Sequence, residues 1–530
     1  MDLNKVKRLY HTLKHLRFTQ VYHQIDYRLV KPKRVDTPLI GIFSQLDLID
    51  FPEKQKSFSI DINSWVFSFL NLRHSFSQDS IDWSFGKHGM LWTYNLNYFD
   101  WLHQAEMSKE QGLETLSRFY ATPVDKNPII KHPYPTSLRI INAAKFITEW
   151  DIKEDWLYFE LVSDLKLLSG QLEFHLLANH LLENAFALYI GGLITNQDEL
   201  VQKGKKLLAR QLKEQILNDG MHFERSPMYH LIILERLLDA LNFAEATKDD
   251  LEPVLKSYAI NMTGFVMNWE GLSRVPMMQD SAYGIALTVP VILDYSRRLL
   301  GSDYPTSTNE MRGSGYRKLK NESFEVHVNV GEIGPSYQPG HAHADELNFE
   351  LFYHGKPIVV DTGISTYEKN QRRQHERSTE SHNCLVVNSE NTSDVWSGFR
   401  VGKRAKVELI QDNNYKIVAQ HFGYSPVVVK RTWEAVNGSI VIYDELKNSS
   451  KSFEAQGKLH LHPSIKVEQL DNNSFRLSNN LLFTFDSLMD SLDVSVGQYQ
   501  YCQGYNNTLD AVELVYACTD KMKITIREAN

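Results

Sequence analysis

The spacing of apolar residues changes period near residue 310, and that change limits what the chain can fold into. Between about 140 and 300 apolar positions recur at three and four. Examples are LRIINAAKFITEW (138–150), the long run 156–194 and SPMYHLIILERLLDALNFAEA (226–246); this is helical spacing. Breakers at Gly170, Gly191–Gly192 and Pro253 divide these stretches. They predict antiparallel helix pairs joined by short loops, in a bundle or wound into a toroid. From about 322 the period becomes two. FEVHVNVG, LNFELFY, KPIVVDTG, HNCLVVN, SIVIYDEL and ITIREA alternate or run as short apolar stretches, with turns at Asn413–Asn414, Asn437–Gly438 and Asn472–Asn473. Strands without intervening helices predict a large antiparallel sandwich. The stretch 301–315, rich in Gly, Ser, Thr and Asn, links the two halves.

The expected organisation is α+β and multidomain: an N-terminal segment over 1–40, a helical domain over 41–310 and a β domain over 311–530. Apolar residues at 42% and charged residues at 23% exclude disordered and fibrous classes. The net charge of −8 gives no overall basic field, so nucleic acid is not an expected partner. No run of 18 apolar residues exists, which excludes a membrane-spanning helix. Three cysteines exclude a disulfide framework and leave a single Cys502–Cys518 bridge open.

The charge is uneven. Residues 1–35 carry nine Lys/Arg against Asp2 and Asp26, a net of +7, while everything else totals −15. Val6, Leu9, Leu13 and Leu16 make this head an amphipathic helix. Packing on the main body is favoured over the alternative, peripheral contact with an anionic membrane. The head has neither an apolar core nor a small-residue cleavage site and reads as no secretory signal. It points to a cytoplasmic protein, with the periplasm as the alternative.

Three polar constellations stand out. In GHAHADELNFEL, His341 and His343 are two apart and point to one side of an extended segment; Asp361 and His382 follow on later strands. Two His and a carboxylate can hold zinc, or can be hydrogen-bonded polar residues, and the spacing leaves both open. In HLLANHLLENAFAL, His175, Asn179, His180 and Glu183 share one helical stripe, and Asn with His favours a polar cleft over a solvated face. In HFERSPMYH, Ser226 is placed to cap a helix with Pro227 in its first turn, so Tyr229 projects near Arg225 and His230. A tyrosine acting as a base needs cationic neighbours that favour phenolate.

NHLLENA, ERSPMYH, PGHAHADELNFEL with VVDTG, and RSTESHNCLVVN, in this order from about residue 90 onward, resemble the heparinase II/III family of polysaccharide lyases. The resemblance implies an incomplete (α/α) toroid followed by an antiparallel β-sandwich, and β-elimination on an anionic, uronic-acid-containing polysaccharide. It further implies that Asn179 binds the uronate carboxyl, assisted by His180 and a protonated Glu183. Tyr229 would protonate the leaving oxygen and, for one C5 epimer, remove the C5 proton; His341 would be the base for the other. His343, Asp361 and His382 match the family's structural zinc position. Arg139, Arg225 and Arg377 are candidates for anion contacts. Cys384 stands where the family usually has a small hydroxyl residue. The absence of a signal in this opening, unlike the family's extracellular lyases, implies a bacterial capsule or exopolysaccharide as substrate rather than heparan sulfate. The competing class is a non-catalytic polysaccharide-binding protein of capsule or exopolysaccharide assembly.

Overall fold

The structure is a computed structural model that describes residues 3–29, 34, 41–61, 64–77, 80–447, 453–487 and 494–529. The expected boundary at residue 40 and parts of the basic head (1–2, 30–33 and 35) lie outside the described residues. Two helices, Leu3–Leu13 and Phe18–Leu29, open the chain.

A three-stranded antiparallel sheet follows, Phe58–Asp61, Ser64–Phe69 and Leu72–Ser77. It lies ahead of the stretch, about 140–300, whose spacing predicts helices, and the sequence reading did not anticipate it. SWVFSF alternates with period two, and Leu70 and Asn71, both at positive φ, make a tight hairpin turn. Phe58 and Phe67 are buried against Trp101 of the helical body, and Trp65 is buried against Phe58.

Between Met90 and Leu300 the chain is helical, and successive helices pack as neighbours in an incomplete (α/α) toroid. Gly170 ends the helix Asp155–Ser169 and Pro253 starts Glu252–Val266, as the breakers predict. Gly191–Gly192 break nothing; they lie inside Ala178–Ile194. A β-carbon on Gly191 would come within 2.6 Å of Ile140 and 2.7 Å of Leu165. Here glycine serves the close approach of three helices rather than a stop.

The C-terminal half is all antiparallel. One sheet runs in the order Val407–Asn413, Lys416–His421, Val428–Val436, Ser439–Lys447, Lys521–Glu528, Leu481–Ser487, Ser474–Leu477, Val467–Gln469. The strand that comes last in the sequence therefore sits inside this eight-stranded sheet. Two four-stranded sheets, joined by the bridge of Val359 to Leu461, lie opposite. A single apolar core drawn from all three, including Trp433, Phe483 and Leu514, fills the space between them. Each of the three Asn-marked turns connects adjacent strands, and Asn437–Gly438 has positive φ at both positions, the geometry of a two-residue hairpin. Cys384, Cys502 and Cys518 are all free and buried, so no Cys502–Cys518 bridge forms.

Candidate functional site

Two helix N-termini aim into one cleft. Ser226 caps Pro227–Thr247 by accepting the Tyr229 N–H (3.2 Å), which fixes Tyr229 in the first turn. Asn179 occupies the first turn of Ala178–Ile194. His175 lies before that helix begins, so it is not part of the expected stripe. Leu177, Ala178 and Arg225, all non-glycine, hold positive φ just ahead of these two side chains, as does Gln279 beside Asp280. Such conformations cost about 1–3 kcal/mol each and persist where surrounding packing enforces them.

The cleft encloses about 1780 Å³ between the helical and β halves. That exceeds the roughly 300–1,000 Å³ of a small-ligand pocket. Asn179, His180, Tyr229 and His341 all line it. The rings of Tyr229 and His341 are 4.1 Å apart, and Asn179 Nδ2 lies 3.4 Å from His341 Nε2. The sequence therefore brings its three leading candidates together from three distant segments.

Asp280 organises them. His341 Nδ1 donates to its Oδ2 and His343 Nε2 to its Oδ1, both at 2.8 Å. Arg373 grips both oxygens at 2.5 and 2.7 Å. Burial pushes the Asp280 carboxyl up, but Arg373 and the two imidazoles outweigh it and hold it well below the usual carboxylate range. Since a carboxylate only accepts, His341 must carry its proton on Nδ1 when neutral, leaving Nε2 bare toward Asn179 and Glu224.

Burial drives the Tyr229 hydroxyl well above its ordinary value; the hydroxyl of Tyr367, at 3.2 Å, offsets this only in part. The Arg373 charge also pulls this hydroxyl down, but burial outweighs it, and neither Arg225 nor His230 is the cationic neighbour that the sequence suggested. Arg225 turns away to the Glu332 carbonyl, and His230 is buried facing Met262. Glu224, 2% exposed, accepts from Asn179 Nδ2 at 2.8 Å, while Asn179 Oδ1 has no partner. His180 donates to Glu173 (3.0 Å); burial lowers its pKa, but Glu173 more than compensates and the net shift is upward.

Glu183 is not at the surface of the cleft. It is fully buried beneath the floor, 3.7 Å from Arg236, and burial raises it to about 7. All three arginine expectations are also corrected. Arg139 is buried against Asp164, the Ile130 carbonyl and Thr136. Arg377 ties together the carbonyls of Ala342, Ser397 and Arg400. Arg225 braces Glu332. The cations that do line the cleft include Arg28, Lys54, Arg236 and Arg274.

Behind the cleft, His343, Asp361 and His382 are sealed from water. His382 Nδ1 donates to Asp361 (2.8 Å), and Asp361 also accepts from Asn348 and the Gly363 N–H. Among the described residues no three His, Cys, Asp or Glu side chains are arranged to hold a metal, so the expected three-ligand set does not form. Two ring nitrogens, His343 Nδ1 and His382 Nε2, are nevertheless buried without partners, on rings 5.2 Å apart.

Asp280, Arg373, Glu224 and Tyr367 escaped the sequence reading. Asp280 did carry a signal, being the only charged residue between Arg274 and Asp294.

A profile described as heparinase II/III N-terminus matches residues 136–285, and one described as heparinase II/III-like, C-terminal, matches 304–527. A heparin-sulfate lyase of Bacteroides thetaiotaomicron is 24% identical over 317 residues, covering 50% of this chain and 44% of that protein. A heparin-sulfate lyase of Pedobacter heparinus is 22% identical over 338 residues, covering 58% and 49%. The chain thus spans about half the length of the curated relatives it matches. A crystal structure of heparinase III aligns with a TM-score of 0.67 at 16% identity, covering 86% of this chain and 80% of that one. A heparan sulfate lyase mutant from Pedobacter heparinus aligns at 0.59 and 15%, covering 96% and 87%. At such identities these two structures speak for the fold alone. No helix among the described residues is long and apolar enough to cross a membrane.

Proposed function

Because the chain belongs to the heparinase II/III-like family, we propose that it is a polysaccharide lyase that cleaves a uronic-acid-containing polymer by β-elimination. The reaction removes a proton from C5, beside a carboxylate that barely stabilises the carbanion, and protonates the departing glycosidic oxygen. Tyr229, kept protonated by burial, suits delivery of that proton. His341, with Nε2 bare, suits its removal when proton and leaving group lie on opposite faces. When they lie on one face, Tyr229 would need Nε2 or Glu224 to take its own proton first. Asn179 offers an amide and a helix N-terminus to the uronate carboxylate. Glu183 supports the floor and touches no substrate.

The observation that carries this reading is the Asp280 clamp, which sets His341 in the tautomer a base requires. The test is to incubate the protein with uronate polymers and follow the ultraviolet absorbance of unsaturated ends. Tyr229→Phe should remove the signal. Cleavage without unsaturation would mean hydrolysis, and affinity without turnover would mean an assembly protein.

The family also implies a structural divalent ion, zinc by donor type. What supports it is a pair of unpartnered ring nitrogens, His343 Nδ1 and His382 Nε2, with Asp361 holding the other nitrogen of His382; Asp361 does not join them as the third ligand that the resemblance implies. Bound there, zinc would brace the strands behind the cleft. Elemental analysis of the native protein tests this, and a His382→Ala chain that keeps its zinc would refute it.

A further inference from the structure

The basic head singled out in the sequence has no part in the chemistry above, yet it lines the same cleft. We infer that the helical pair Leu3–Leu13 and Phe18–Leu29 closes one end of that cleft, so that the enzyme works inward from a chain end instead of cutting internal bonds. The inference rests on the lyase reading.

The pair is anchored to both walls. On the helical side Arg17 meets Glu214 at 2.5 Å, Tyr27 stacks on His175 with centroids 4.3 Å apart, and His23 stacks on Phe174 at 4.8 Å. On the β side Arg8 pairs with Asp394 at 2.8 Å. Thr12 accepts from Trp396 Nε1 and donates to the Val401 carbonyl, both at 3.2 Å. Gln20, buried, donates to the Tyr337 carbonyl at 3.5 Å, and Arg17 lies 3.7 Å over the Tyr337 ring. Two of these anchors sit beside the reacting groups in sequence: His175 precedes Asn179 by four residues, and Tyr337 precedes His341 by four.

From between the walls, Leu16, Gln20, Val21, Gln24 and Arg28 face into the cleft. A polymer running past Asn179 and His341 on this side would have to melt ion pairs, stacked rings and a buried hydrogen bond. The lining also includes Lys56, Tyr283, His462 and Leu509, and the cleft's volume of about 1780 Å³ leaves room for several sugars. The basic charge of the head also finds a use: Arg8 and Arg17 pair with acids of opposite walls, and Arg28 stands at the crossing to meet an anionic terminal sugar.

The experiment compares viscosity loss with unsaturated ends formed on heparan sulfate, hyaluronan, alginate and polygalacturonate. The full chain should give short products from the first time points while viscosity persists. Arg8→Glu/Arg17→Glu, and independently His23→Ala/Tyr27→Ala, should lose viscosity several-fold faster per unsaturated end. Early viscosity collapse with the full chain, or an unchanged ratio in both variants, would overturn the inference. If no polymer yields unsaturated ends the lyase reading itself fails, and binding decides separately. Capture of the full chain only by polymers with a free end supports the closed end; equal capture by polymers tethered at both ends, or no capture at all, overturns it.

Discussion

His341 and His343 stand two residues apart and grip the same carboxylate, yet they belong to different regions. His341 keeps 13% of its side chain exposed and turns its second nitrogen to the cleft. His343 has none exposed, and its second nitrogen faces a sealed seam shared with His382. The residue types are the same and the partner is the same. Chemistry and bracing are separated only by what lies beyond the far side of each ring.

That contrast can be broken experimentally. Tyr229→Phe or His341→Ala should cut turnover by about 10²–10⁴-fold, the usual contribution of a general acid or base, without moving the melting temperature. His343→Ala should do the reverse, lowering the melting temperature more than it lowers activity. Thermal melts run beside assays on one preparation distinguish the two outcomes.

Asp280→Asn should damage both regions together. It removes the counter-charge of buried Arg373, a change worth about 3–5 kcal/mol in denaturant unfolding, and it frees the His341 tautomer. A variant that lost activity and kept full stability would show that the clamp is not shared.

The floor of the cleft supplies a pH signature. Burial raises Glu183 from its ordinary 4.5 to about 7, despite Arg236. Between those values the folded chain holds more protons than the unfolded chain, so stability falls as pH rises from 4.5 to 7. Glu183→Gln should flatten this slope by about 3 kcal/mol, from roughly 1.4 kcal/mol per pKa unit. The smallest effect belongs to Arg377→Lys, which should leave KM unchanged because Arg377 holds carbonyls and not substrate.

The two-period architecture and the Ser226 cap were legible in the sequence, because periodicity and capping are local properties, whereas Asn179, Tyr229 and His341 were joined as one group only by the family resemblance. The sequence could not distinguish Arg373 from Arg377. Both lie one helical turn apart in RRQHER, and only the packed loop decides which one reaches Asp280. Gly191 read as a stop because its neighbours, Ile140 and Leu165, are remote in sequence. The small sheet at 58–77 was missed, although SWVFSF alternates with period two. Glu224 lay inside a recognised motif, but nothing local shows that Asn179 would rest on it.

The placement of Lys521–Glu528 has a consequence for the timing of synthesis. The eight-stranded sheet consists of two partial sheets, 407–447 and 467–487, that meet only through this strand. Residues 521–528 must therefore be made before the two parts can join into one layer. Until then 439–447 and 481–487 each present an unpaired strand edge, the kind of surface on which another chain can add.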